Sequence, residues 1–236
     1  MKEQKKKILL KLTGEIFVDK TSRYLTTTHL SMVAEQIKAL HTTHQFGIVI
    51  GGGNFFRGGS RTAMPSLTAT TGHQIGMLAT MMNGLIIKDV LEAHGVATTL
   101  LTAFSCPQVG ASISADTIKA AVQNNHTLIF TGGTGNPFFT TDTSAIIRAL
   151  QMEADQIWKG TIVDGVYSAN PTTDAHAHLL KHLSLQEAID KKLGIMDTTA
   201  YVLAQEHKKT IRVFNIFSEA ALTKMAHDPD FGSLIA

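Results

Sequence analysis

A chain of 236 residues with 44% apolar and 17% charged side chains is long enough to bury a substantial core and lacks the polarity that keeps a chain disordered. Its formal charge of +2 argues against a surface dedicated to nucleic acid, and a single cysteine, Cys106, rules out an internal disulfide framework. The positive, apolar and small-residue order of a signal peptide is missing, because the apolar run at 8–12 is short and contains Lys11, so a cytoplasmic enzyme or binding protein is expected.

The basic opening MKEQKKK reads as a solvated end flanking a strand, KILLKL at 7–12, which is followed by a helix over 31–44. A second strand, FGIVI, runs into a triple glycine and then a helix over 73–94. That helix is the longest apolar region, but Thr80, Asn83 and Lys88 interrupt it well short of the ~20 apolar residues a membrane span needs. Ile75, Leu78, Ala79, Met82, Leu85, Ile86 and Val90 follow helical spacing, and Met77 and Met81 widen the apolar surface. The pattern fits a central core helix or one that also meets a second subunit. VATTLLT at 96–102 precedes a helix over 115–124, and TLIFTGG at 127–133 precedes a helix over 143–153. DQIWKGT at 155–161, helices over 185–190 and 197–206, IRVFNI at 211–216 and a helix from 219 complete the order. The strands are continuous apolar runs, as in a sheet covered on both faces. The fold class expected is therefore α/β, with a largely parallel central sheet flanked by helices on both faces. A turn-rich stretch at 158–174 is suited to separating two lobes.

Ligands of such sheets gather at the carboxyl ends of the strands. Four ends are conspicuous: Thr13-Gly14-Glu15; Gly51-Gly52-Gly53-Asn54 with Arg57 beyond it; the stretch FTGGTGNPFFTTDTSA from 130 to 145; and Lys159-Gly160-Thr161. Glycines let backbone N–H groups approach oxyanions, threonines add hydroxyl donors, and a helix starting near Thr141 aims its positive end at the same place. Lys11 sits inside an apolar strand, where an ammonium is costly unless a partner or ligand neutralises it. Asp142 stands at a helix start, where capping and catalysis both account for an acid. No G-x-x-x-x-G-K-[ST] occurs, no G-x-G-x-x-G opens the first strand–helix junction, and no Ser, His and acid arrangement stands out. The histidines lack H-E-x-x-H spacing and fall mostly on polar stretches such as HTTH and DAHAH, which read as surface. A phosphate site without a P-loop is the reading that remains.

These residues carry a resemblance. KILLKLTGE, VIGGGNFFRG, GMLATMMNGL, GGTGNPFFTTDT, VDGVYSANP, IMDTTAY and IRVFNI, in that order along nearly the whole chain, resemble the bacterial uridylate (UMP) kinases of the amino-acid-kinase family, and GTGNPFFTTD is the most specific block. The resemblance implies transfer of the γ-phosphoryl of ATP to UMP, giving UDP and ADP, on a three-layer sandwich. It places ATP on Lys11, Leu12, Thr13, Gly14, Gly53, Arg57, Thr161, Tyr167 and Asn170. It places UMP on Gly52, His73, Thr134, Gly135, Asn136, Pro137, Phe138, Phe139, Thr140 and Thr141. Lys11, Arg57, Asp142 and Asp197 match residues associated with catalysis, and Mg²⁺ is expected to be held mainly by ATP phosphates, with no metal site of the protein's own. One domain, 1–236, is expected, with an acceptor lobe at 1–157 and an ATP lobe at 158–236 to which Lys11 to Gly14 also contribute. No nucleic-acid or membrane partner is implied; a homo-oligomer, hexameric by resemblance, and inhibition by UTP are.

Departures from the pattern are part of the reading. His73 stands where the family usually has an aspartate facing the UMP ribose; imidazole keeps one acceptor and can also be cationic. Asn170 replaces an aspartate on the ATP side. Ile162 replaces a common lysine, leaving Lys159 as the nearby cation. Residues 17–24 replace the glycine-rich segment linked to GTP activation, which weighs against that response. A kinase for another small phosphate or carboxylate acceptor and a non-catalytic nucleotide- or oxyanion-binding protein on the same fold are the other readings.

Overall fold

Ile8, Leu9, Leu10 and Leu12 give strand β1 (Lys6–Leu12) apolar side chains on both faces, and a strand apolar on both faces is stable only inside a covered sheet. The computed structural model describes residues 5–19, 25–56, 64–171, 173–174 and 176–236 and places β1 in the middle of such a sheet. Helix α1 (Thr28–Leu40) leads to β2 (His44–Ile50), all of whose residues are buried, and then to α2 (Ala69–Ala93). Next come β3 (Thr98–Thr102), β4 (Ala111–Ser112), α3 (Ala115–Gln123), β5 (Thr127–Thr131) and α4 (Thr141–Gln151). The chain continues through β6 (Gln156–Thr161), the small pair β7 (Val166–Tyr167) and β8 (Leu179–Leu180), β9 (His182–Leu183), α5 (Leu185–Asp190) and α6 (Thr198–Glu206). It closes with β10 (Thr210–Asn215), α7 (Ala221–His227) and β11 (Ser233–Ile235).

The nine-stranded sheet has the order β4-β3-β5-β2-β1-β6-β10-β11-β9, and only the β10–β11 pair is antiparallel. Alternation along the strands divides the core in two. Ile8, Leu10, Ile48, Ile50, Trp158 and Phe214 pack with α1, α2 and α7, whereas Leu9, Val49, Leu128, Phe130, Ile157 and Val213 pack with α3, α4, α5 and α6. The expected lobe boundary at 157/158 falls inside β6, which pairs with β1 on one side and β10 on the other.

The expected helices form, with shifted ends. Helix α1 covers Thr28–Leu40 rather than 31–44, because His44 already opens β2 and is buried against Phe46 and Trp158. Helix α2 starts at Ala69 rather than 73, since the Thr68 hydroxyl accepts the Thr71 N–H and sets an earlier N-terminus. No helix among the described residues is long and apolar enough to cross a membrane.

Candidate active site

Strand periodicity fixes where the charges go. In β1, Lys11 is two residues from Leu9 and points to the α4 face; in β6, Lys159 is two residues from Ile157 and points the same way. The parallel register sets Lys11 directly beside Lys159. Two ammonium groups held side by side repel, and their side chains are only 12% and 6% exposed, so water does little to screen them.

Asp142 resolves the conflict. Its Oδ1 lies 2.9 Å from Lys11 Nζ and 2.6 Å from Lys159 Nζ, the latter ammonium donating to it. Helix α4 does not need Asp142 as a cap, because the Thr140 hydroxyl accepts the Asp142 N–H at 3.0 Å; the carboxylate is free to face the strands. Burial alone would raise the Asp142 pKa, but Lys11 and Lys159 outweigh it and hold the carboxyl below the ordinary aspartate value. Lys159 is pushed down to about 8, first by burial and then by Lys11, with Asp142 pulling the other way. The cluster therefore carries net positive charge at neutral pH, at the carboxyl ends of two central strands and the N-terminus of α4, where an anion is favoured.

Asp197 occupies a comparable place and makes different bonds. It is the N-cap of α6, accepting the Ala200 N–H at 2.8 Å. Its oxygens also accept from the Thr143 hydroxyl at 2.9 and 3.0 Å and from the Thr140 hydroxyl. It thus ties the threonine-rich loop to α6.

A cavity of about 400 Å³ lies beside the cluster, over the ends of β2 and β5, and Gly52, Gly53, His73, Phe139, Thr140 and Thr141 help line it. Gly52 is obligatory there, since a Cβ would meet Gly76 O at 2.7 Å and Ala79 Cβ at 2.8 Å. Gly132, at φ +78°, turns the chain in the left-handed region that glycine adopts without strain. Thr134 folds the loop on itself, donating to Asn136 O and accepting the Asn136 N–H, both at 3.1 Å. Phe138 is largely exposed and its ring centroid lies 5.0 Å from that of His73. Gly135, Asn136 and Pro137 belong to this loop, but not to the cavity wall.

The residues expected on the ATP side are spread over several places. Leu12 is buried in the core. Thr13 accepts the Glu15 N–H at 3.3 Å and caps a short turn, while Gly14 packs tightly against Asn54 and Gly51 O. Gly53 lines the same cavity as Gly52. Thr161 ends β6, and Tyr167 and Asn170 line a second cavity of about 460 Å³ together with 191–195. In the sheet order β5-β2-β1-β6 the strands that carry the two lysines follow β5 and β2, beyond whose ends lie loops that line the first cavity, and β6 leads into the segment that lines the second. Arg57, residues 20–24 of the segment 17–24 and residues 1–4 of the basic opening lie outside the described residues.

The model of the amino acid kinase family matches residues 6–215. The chain belongs to that family. A uridylate kinase from Pseudomonas fluorescens is 41% identical over 233 residues, covering 98% of this chain and 93% of its own. One from Mycoplasma pneumoniae is 43% identical over 220 residues, covering 92% and 93%. The crystal structure of UMP kinase from Ureaplasma parvum superposes with a TM-score of 0.93 at 31% identity, covering 99% of this chain and 100% of that one. UMP kinase from Bacillus anthracis gives 0.91 at 27%, covering 98% and 95%.

Four residues of this amino acid kinase's site are missed, or only partly read, from the sequence. Lys159 reads as part of a glycine turn and as the cation left near Ile162, although the argument applied to Lys11, an ammonium within an apolar strand, holds for it equally. Asn83 and Thr80 read only as interruptions of an apolar helix; both are buried and bonded to site loops. Arg148 gives no sequence signal at all, yet its buried guanidinium donates to Gly133 O at 3.0 Å and Gln151 Oε1 at 2.7 Å. Burial lowers its pKa to about 10, so it stays charged at neutral pH beside the Gly133 turn.

Proposed function

We propose that the protein is a uridylate kinase, transferring the γ-phosphoryl of ATP to UMP and releasing UDP and ADP. The observation that carries the reading is the Lys11–Asp142–Lys159 cluster beside a cavity walled by glycines and the threonine-rich loop, in a chain about 41% identical to a uridylate kinase.

The chemistry asks little of a base. A phosphate monoester has a second pKa of about 6, so the acceptor is already a dianion near neutral pH. The protein must bring two anionic groups into line and neutralise charge spread over the transferring phosphoryl. In our reading UMP occupies the first cavity, over the acceptor lobe at 1–157, and ATP lies against Tyr167 and Asn170 in the lobe at 158–236. Lys11 and Lys159 face the transferring group, Arg57 adds a third cation, and the N–H groups of the GGG turn and the α4 terminus complete the cradle. Asp142 draws both ammonium groups to one oxygen and aims them; Asp197 positions the threonine loop. Mg²⁺ would be held mainly by ATP oxygens and would neutralise phosphate charge there.

We also propose that the protein works in the cytoplasm as a homo-oligomer, a hexamer by resemblance. The exposed Leu78, Met82 and Leu85 on one face of α2 support an assembly.

The test is ADP release from ATP and Mg²⁺ in the presence of UMP, CMP, dUMP or no acceptor. Turnover with UMP and little with the others is expected. Binding of nucleotide without turnover would replace the kinase with a binding protein on the same fold.

A further inference from the structure

Two site loops leave different strands, the GGG turn from β2 and the GGTG loop from β5, yet one face of α2 holds both. Gly76, Ala79, Thr80 and Asn83 share that face at helical spacing. Gly52 is pressed against Gly76 and Ala79. Thr80, 3% exposed, accepts the Gly132 N–H on its hydroxyl at 2.8 Å and donates the same hydroxyl to Met77 O at 2.7 Å. Its rotor is therefore fixed from both sides. Asn83, wholly buried, donates to Gly51 O and to Asn54 Oδ1, each at 2.7 Å, and accepts from Asn54 Nδ2 at 3.0 Å.

We propose that Thr80 and Asn83 are positioning residues that set the separation and aim of the two loops across which the phosphoryl group moves. The inference rests on the kinase reading given above. Packing alone would be served by apolar side chains on this face; a hydroxyl and an amide buried there with their hydrogen bonds satisfied instead specify one geometry. In-line transfer needs that geometry, since a displacement of about 1 Å lowers rate by about a hundredfold. The two residues act through Gly132 and Gly51, not by touching the reacting atoms.

The experiment compares Thr80→Ser, which keeps the hydroxyl, with Thr80→Val, which removes it, and adds Asn83→Leu; all are assayed well below their own Tm. We expect Thr80→Val to lower kcat about 10- to 100-fold and to raise KM for UMP more than KM for ATP. Thr80→Ser stays within about threefold of the parent. Asn83→Leu lowers kcat and raises both KM values, because the GGG turn borders both substrates. Should Thr80→Val fail to fold, Thr80→Ala against Thr80→Ser isolates the same hydroxyl. Backbone amide hydrogen exchange gives a second readout, with faster exchange expected in the 51–56 and 131–136 loops. A hydroxyl-free variant that melts earlier but keeps parental kcat, KM and loop exchange overturns the inference. A parent without UMP-dependent turnover overturns the kinase reading instead, and the exchange comparison then decides the positioning claim alone.

Discussion

The start of α4 and the start of α6 pack against each other, and each carries an aspartate, yet the two carboxylates face different chemistry. Asp142 meets two ammonium groups from neighbouring strands; Asp197 meets two threonine hydroxyls and a backbone N–H. Place in a helix does not separate them. What separates them is the strand face opposite: the period of two in β1 and β6 brings Lys11 and Lys159 under α4, whereas α6 looks onto the threonine loop. The difference assigns charge control to the first and loop positioning to the second.

The largest expected effect tests that division. Asp142→Asn keeps the shape and removes the charge that lets two ammonium groups coexist. Lys159, already pushed down to about 8, then releases its proton, which limits the loss of stability and deletes a cation where phosphoryl charge develops. We expect kcat to fall about 10²- to 10³-fold, with a far smaller change in Tm by calorimetry. Equal losses in turnover and stability would return Asp142 to a structural role.

A pH profile sharpens the same point. Above about 8, the free enzyme loses the Lys159 proton, so kcat/KM should fall tenfold per pH unit. Stability moves the opposite way. The unfolded chain keeps an ordinary lysine pKa of 10.5 while the folded one is near 8, so the unfolded state binds more protons between those values and this group's contribution to stability rises with pH. Lys159→Arg, which stays charged throughout, should lose the inflection near 8. Persistence of the inflection in that variant would mean that another group titrates.

The smallest effect is expected at Asp197. Asn is as good an N-cap as Asp, so Asp197→Asn should keep stability and lower kcat only several-fold, whereas Asp197→Ala should lose about 1 kcal/mol in denaturant melts. If Asp197→Asn lowers turnover as far as Asp142→Asn, the two carboxylates share one role and the contrast between the helix starts disappears.

Much of the fold is legible in the sequence because buried parallel strands are apolar throughout: KILLKL, FGIVI, TLIF and IRVFNI need no partner information to stand out. The pairs β7–β8 and the strands β4, β9 and β11 do not, since two or three residues such as AS, VY or HL carry no period and exist only where a neighbour offers a free edge. Lys11 and Asp142 are legible from their neighbours in sequence. Their meeting with Lys159 depends on the register of β1 and β6, which a single chain read in one dimension does not display. Thr80 and Asn83 are visible only as exceptions in an apolar helix, and Arg148 only once α4 is laid against the Gly133 turn.

The central claim concerns a phosphoryl group crossing from ATP to UMP beside Lys11 and Lys159, with Asp142 binding and aiming both ammonium groups. Following γ-labelled phosphate from ATP into UDP, in the parent chain and in Asp142→Asn at a temperature where both are folded, tests it most directly. The account predicts labelled UDP from the parent and about a hundredfold slower labelling by the variant. Equal rates, or label released as inorganic phosphate while UMP stays unchanged, would contradict it.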